Sequence, residues 1–189
     1  MLRKQILVLA VLLAMPGVAA ADTMTFSPPS SDMHDLDHAQ VYFWGINVPL
    51  APGESVIAAE LSIDNICNWD NQPNDLYIHL LDWASLGLHQ LFDNAGGGDY
   101  FETTYLGVDE HLITYEDLTT SPQDLTYTFS SDDLVALNAY LADGRIGIGI
   151  DPDCHYYNDG IELTIITPEP ATMAVFALGL PMLFRRRMR

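Results

Sequence analysis

Two polar loops carry most of the side chains that could do chemistry. The first reads Asp64-Asn65-Ile66-Cys67-Asn68-Trp69-Asp70-Asn71-Gln72-Pro73-Asn74-Asp75, the second Asp151-Pro152-Asp153-Cys154-His155-Tyr156-Tyr157-Asn158-Asp159-Gly160. Each follows an apolar run, and together they offer many hard oxygen donors, of which calcium takes roughly six to eight. The expected calcium ligands are Asp70, Asp75, Asp151, Asp153 and Asp159. Neither loop has the alternating acids and closing Glu of an EF-hand, and Asp, Asn, Pro and Gly are also the residues that turns use. Trp69, Tyr156 and Tyr157 stand in these loops and not in alternating strand positions, where rings are normally buried. They are the candidates for stacking on sugar rings.

Cys67 and Cys154, one per loop, make an even count, which in an oxidising exported setting predicts a disulfide. It would join the two loops and close a segment of 87 residues, contributing up to roughly 4–5 kcal/mol in the entropic account. His34-Asp35-Leu36-Asp37-His38 has the four-residue His spacing of a helical zinc site, but no third His lies beside it. A solvated segment is the simpler expectation. His79, His89, His111 and His155 read as dispersed polar residues. No Gly-x-Ser-x-Gly elbow, His-Glu-x-x-His or Gly-rich phosphate loop is present. Paired carboxylates can hydrolyse glycosides, but in so acidic a chain close pairs arise by chance. The expected role is non-enzymatic, with a matrix polysaccharide hydrolase as the rival and an inert structural protein as a further alternative.

The two ends are read separately. Arg3 and Lys4 precede an apolar stretch, Pro16-Gly17 break it, and Ala19-Ala20-Ala21 supplies small residues for cleavage, so residues 1–21 read as a secretory signal peptide. At the other end Pro168-Glu169-Pro170 precedes an apolar run over 171–184, followed by Arg185, Arg186 and Arg187. Fourteen residues of helix reach only about 21 Å, short of the roughly 30 Å hydrocarbon core. The arginines would stay on the cytoplasmic side. This order resembles the PEP-CTERM sorting signal of Gram-negative bacteria that make extracellular polysaccharide. The resemblance implies an exosortase-like enzyme that reads and removes the tail. It also implies export to the cell surface or matrix, with a transient anchor in the inner membrane. An ordinary tail anchor is the alternative.

Most of the basic residues lie in those ends. Of the seven Lys and Arg, only Arg145 lies between them, whereas of the 26 acids only Glu169 falls in the tail. Residues 22–167 therefore carry about 24 negative charges in excess. Such a field repels nucleic acid and anionic lipid, leaves the membrane to the tail alone, and attracts divalent cations.

The elements that must position the loops read as strands. Runs over 42–48, 56–63, 76–81, 112–115, 125–129, 145–150 and 161–166 alternate or are β-rich. Residues 84–92 read as a short helix or a loop, and 94–99 as a Gly-rich turn. Ser130 caps a late helix whose first turn holds Asp132 and Asp133. In 145–150, Ile146, Ile148 and Ile150 point inward, and Gly147 and Gly149 mark close approach. The expected architecture is an all-β antiparallel sandwich of jelly-roll type with one short late helix, loosely similar to extracellular jelly-roll modules. It spans 38–167, with 22–37 as a flexible acidic arm before it and 168–189 as the sorting helix after it.

Overall fold

The computed structural model describes residues 21–93, 97–104 and 109–168. The signal peptide up to residue 20, and the sorting tail from Glu169 onward with Pro170, Arg185, Arg186 and Arg187, lie outside these residues, as do 94–96 of the expected turn. Among the described residues no helix is long and apolar enough to cross a membrane. The chain divides into two compact units, Met1–Asp22 with Pro168–Arg189, and Thr23–Thr167. The second is mostly β.

Its strands in chain order are β1 (Ala21–Phe26), β2 (Gln40–Asn47), β3 (Ala58–Asn68), β4 (Asp75–Leu81), β5 (Gly87–Phe92), β6 (Asp109–Glu116), β7 (Gln123–Thr128), β8 (Arg145–Pro152), β9 (Tyr156–Tyr157) and β10 (Gly160–Pro168). Helix α1 (Tyr100–Thr104) precedes β6, and α2 (Ser131–Tyr140) precedes β8. One sheet has the order β1-β10-β3-β7, with β9 beside β3, and the other β5-β2-β8-β4-β6. The strand pairs are antiparallel.

The first sheet keeps one face wet. On β10, Ile161, Leu163 and Ile165 are buried while Glu162 between them is exposed, the alternation of a half-solvated antiparallel sheet. The centre of the second sheet, β2 and β8, is covered on both faces. Tyr42, Trp44 and Ile46 of β2 enter the core shared with the first sheet, whereas Val41 and Phe43 join Leu81 and Phe101 in a separate outer cluster. On β8, Ile146, Ile148 and Ile150 face the shared core. The expected close approach at the intervening glycines is present. A Cβ on Gly149 would lie 2.4 Å from the Phe101 ring, and one on Gly147 2.6 Å from the Ala84 Cβ.

Helix α2 starts where expected, through a capping box. Ser130 Oγ accepts from the Asp133 backbone N–H (3.2 Å), and Asp133 Oδ2 accepts from the Ser130 N–H (2.6 Å) and from the Tyr127 hydroxyl (2.7 Å). Leu137 and Leu141 are buried in the core. Burial pushes the Asp133 carboxyl up, but these hydrogen bonds outweigh it and hold it below its ordinary 3.8. Its stabilisation is therefore complete above pH 3.8 and lost as pH falls through the lowered value. Asp133→Ala should cost about 1–2 kcal/mol in urea denaturation at neutral pH. The gap between variant and parent should close on acidification.

Four expectations need correction. Residues 22–37 are not a flexible arm. They form β1 and a turn in which Met33 and Leu36 are fully buried, and Leu36 exchanges both backbone hydrogen bonds with Tyr156, at 2.9 and 2.8 Å. Met33, His34 and Asp35 have φ of 53°, 66° and 56°, a left-handed turn, so His34 and His38 do not share a helix face. Residues 87–92 are an edge strand on β2 and not a helix or loop. The loops are also shorter than expected, because β3 continues to Asn68 and β8 to Pro152.

The fourth correction is the disulfide, because Cys67 and Cys154 are free. The register explains why. Cys67 faces Tyr157 and Asn68 faces Tyr156, so the partner of Cys67 is a residue of β9, and Cys154 lies outside that strand. Cys154 is buried in the core instead.

Candidate functional site

The outer face of the second sheet gathers the reactive side chains. Tyr77 and His79 of β4 alternate with the core residues Leu76, Ile78 and Leu80, so they point away from the first sheet. Asp151 faces Tyr77 across the β4–β8 ladder, and Gly149 faces His79. Residues 97–104 lie over this face. Phe101 lodges against Gly149, where no side chain stands in its way.

A β-bulge on β6 completes the arrangement. Ile78 pairs with Ile113 but His79 pairs with His111, which skips Leu112. Because side chains alternate with period two, the extra residue changes which face the following positions occupy. Leu112 enters the core, and His111 and Asp109 share the outer face with His79.

His79 is buried between two carboxylates. Its Nδ1 lies 2.7 Å from Asp109 Oδ2 and its Nε2 2.9 Å from Asp99 Oδ2. Asp99 is held in turn through Oδ1, which accepts the Phe101 N–H at 2.9 Å. The His79 ring packs on Phe101 (4.7 Å between centroids) and on His111 (5.0 Å). One ligand atom from each of His79, Asp99 and His111 can be chosen so that all lie within 4.8 Å of one another.

Beside this centre lies an acidic group. Asp151 Oδ2 accepts the Tyr100 N–H at 2.7 Å, and Asp153 accepts the Gly98 N–H at 3.0 and 3.2 Å. The Tyr77 hydroxyl lies 3.2 Å from Asp75 Oδ2 and 3.5 Å from Asp153 Oδ2. Burial pushes the Asp151 carboxyl up to about 7, with Asp93, Asp153 and Asp99 adding to it against the Tyr100 N–H. Burial also raises Asp153, with Asp75 reinforcing the shift.

Of the expected calcium ligands, Asp153 lies near Asp151 and near Asp75, but the three do not set their oxygens within 4.8 Å of one another as the two His-containing groups do. Asp70 caps its own turn by accepting the Gln72 N–H at 2.9 Å, and Asp159 bonds Asn65 Nδ2 at 2.7 Å. Neither joins the group. Among the expected sugar-stacking rings, Trp69 and Tyr157 are 59% and 49% exposed, with His155 between them at centroid distances of 6.4 and 5.4 Å. Tyr156 is 0% exposed. It is excluded as a stacking residue, because its hydroxyl is drawn inward to Asn74 Oδ1 (2.8 Å) and the Asp75 carbonyl (3.0 Å). A second His group, Asp37, His38 and His155, lies nearer the surface.

His79, Asp99, Asp109 and His111 were not legible as a set. His79 and His111 are 32 residues apart in sequence, and only the bulge places them face to face. The available signal was a His amid apolar strand residues, in 76–81, where an unpaired polar ring is disfavoured.

No family model matches the chain, and no curated protein matches it. Among solved structures, a latent aurone synthase (polyphenol oxidase) from natural source is similar over 71% of this chain and 26% of its own, at 7% identity and a TM-score of 0.42. A recombinantly expressed latent aurone synthase is similar over 69% of this chain and 26% of its own, at 10% identity and a TM-score of 0.41. The chain thus spans about a quarter of the length of these proteins.

Proposed function

We propose that this chain is an exported, acidic, non-enzymatic protein of the bacterial surface or polysaccharide matrix. In this reading calcium stabilises it, and a PEP-CTERM-like tail delivers it through an exosortase-like enzyme. The proposed fold is a jelly roll. Support for it comes from the alternation of β1, β2, β3 and β4, then β6, β7, β8 and β10, between the two sheets, with β5 and β9 as additions; two interleaved Greek keys have this order.

The observation that carries the calcium reading is the run of neighbouring acids Asp75, Asp153 and Asp151 beside Tyr77 and the 98–100 segment. None of the three carboxylates has a Lys or Arg among these contacts, which run to Tyr77 and to the Gly98 and Tyr100 N–H groups. Such a site fits a hard cation. The exposed rings of Trp69 and Tyr157, with the half-buried His155 between them, support contact with a glycan, since sugars stack on open aromatic faces and a sheet core offers none.

One observation favours the hydrolase rival, the raised carboxyl of Asp151 beside a second acid. Asp151 is only 1% exposed, however, and Tyr100 stands over it, out of reach of a polymer chain. A more open depression of about 530 Å3 between residues 47–54 and 138–144 holds Glu54 and Asp143. There hydrogen bonds from Thr167 and Ala51 hold the Glu54 carboxyl below its ordinary value, which suits no proton donor.

The test is a thermal melt of the full chain in EGTA and then in calcium. Calcium at about 100 times its dissociation constant should add about 2.7 kcal/mol, a rise of about 5–10 °C for a domain of this size. Magnesium should do less. A melt unmoved by calcium, or moved equally in a variant carrying Asp151→Asn and Asp153→Asn, would sink the calcium reading.

A further inference from the structure

His79 poses a separate chemical problem. A neutral imidazole has one N–H and one lone pair, and an ionised carboxylate only accepts. Yet a carboxylate oxygen stands at each ring nitrogen, 2.7 Å away at Nδ1 and 2.9 Å at Nε2. With Nδ1–H donated to Asp109, the Nε2 lone pair and an Asp99 oxygen face each other. A positive centre between them relieves the repulsion, and a proton or a metal ion would serve.

His111 distinguishes the two. A proton needs only Nε2 and the Asp99 oxygen, and would leave His111, whose Nε2 lies 2.9 Å from Thr114 Oγ1, with no part at His79 beyond ring packing. The bulge at Leu112 nevertheless turns His111 onto the same face and directly opposite His79, and bulges of this kind re-aim side chains beside functional sites. The three ligand atoms fall within 4.8 Å of one another. Tetrahedral zinc with bonds of about 2.0–2.1 Å sets its ligands roughly 3.3 Å apart, so modest side-chain adjustment draws them onto one ion. We propose that His79, Asp99 and His111 form a zinc site, with Asp109 orienting the His79 ring through Nδ1.

The donor set selects the ion. Two imidazoles and a carboxylate suit zinc, whereas calcium prefers all-oxygen ligands. The Asp109–His79 contact is the carboxylate–histidine pairing that fixes the tautomer of a zinc-bound ring. Phe101 closes the inner side against His79, while the exposed His111 leaves the outer side open. Three protein donors leave the fourth position for water. The site is independent of the calcium proposal, which uses Asp75, Asp151 and Asp153.

The experiment is calorimetric titration of the EDTA-stripped full chain with zinc chloride, with cobalt(II) absorption as a second readout. One zinc per chain and tetrahedral cobalt bands are expected. Asp109→Asn should weaken zinc roughly 10- to 100-fold, and His111→Gln, which removes a ligand, should exceed about a hundredfold. His79→Gln risks unfolding, so the exposed His111 carries the test, with far-ultraviolet circular dichroism confirming that the variant is folded. Absence of zinc binding, or binding unchanged in His111→Gln, overturns the proposal. Loss of zinc in His38→Gln instead assigns it to Asp37, His38 and His155, and equally overturns the proposal. Calcium titration of His111→Gln separates the two sites, since its calcium response should match that of the parent.

Discussion

Phe101→Ala should destabilise the protein by about 3–5 kcal/mol, the usual range for deleting a buried aromatic ring. Phe101 is fully buried although it belongs to a helix of only five residues. Such a helix has no stability of its own, so its placement depends on this ring. The ring meets Phe43 edge-on at 5.5 Å and covers His79 at 4.7 Å. The reverse substitution tests the same contact. Gly149→Ala would place a methyl group 2.4–3.0 Å from three atoms of the ring. Overpacking of that kind costs about 1–3 kcal/mol. Because each change relieves the other, the double variant should be more stable than the sum of the two losses implies. Guanidinium denaturation of all four proteins gives the answer. An unchanged midpoint for Phe101→Ala would mean that residues 97–104 are not docked on the sheet.

Asp151→Asn should stabilise the protein at neutral and alkaline pH in the absence of calcium. The Asp151 carboxyl rises from 3.8 when unfolded to about 7 when folded, so the folded state binds its proton more tightly. Between those values, stability from this group increases as pH falls, and the gain is complete below 3.8. Above about 7 the charge stays buried in both the free energy and the structure, and the penalty is constant. At about 1.4 kcal/mol per unit, the shift corresponds to about 4 kcal/mol at most. Asparagine keeps an oxygen for the Tyr100 N–H and removes the charge. The difference between variant and parent, read by thermal melts from pH 5 to 9, should grow with pH and level off above 7. Calcium should shrink it by neutralising the parent. A variant less stable than its parent at pH 8 would show that the charge is already compensated.

The strands were legible because one-dimensional alternation carries them. Ile146, Ile148 and Ile150, with glycines between, dictate a strand whose bare side must receive another element, whatever that element is. Ser130 and Asp133 announce a helix start through local hydrogen bonds. The edge strand 87–92 was not legible, since Leu91 and Phe92 are exposed and its pairing with β2, not its pattern, makes it a strand. Residues 22–37 looked like an arm because Ser, Pro and Asp dominate them. Two apolar side chains, Met33 and Leu36, are enough to bury the turn.

The sequence by itself determined the strand-rich architecture, the capped helix and the acidic field, since alternation, capping and net charge are local or additive properties. Only the tertiary structure decided which acids converge, which rings face water and which cysteines stay apart. Cys67 pairs with Tyr157, and Cys154 lies outside that paired strand. Tyr156 and Tyr157 are neighbours in sequence, yet pleating sends one into the core and the other to the surface. His79 and His111 meet because one residue, Leu112, bulges. Register is a long-range quantity, set by the pairing of whole strands, and a shift of one residue reverses every face beyond it.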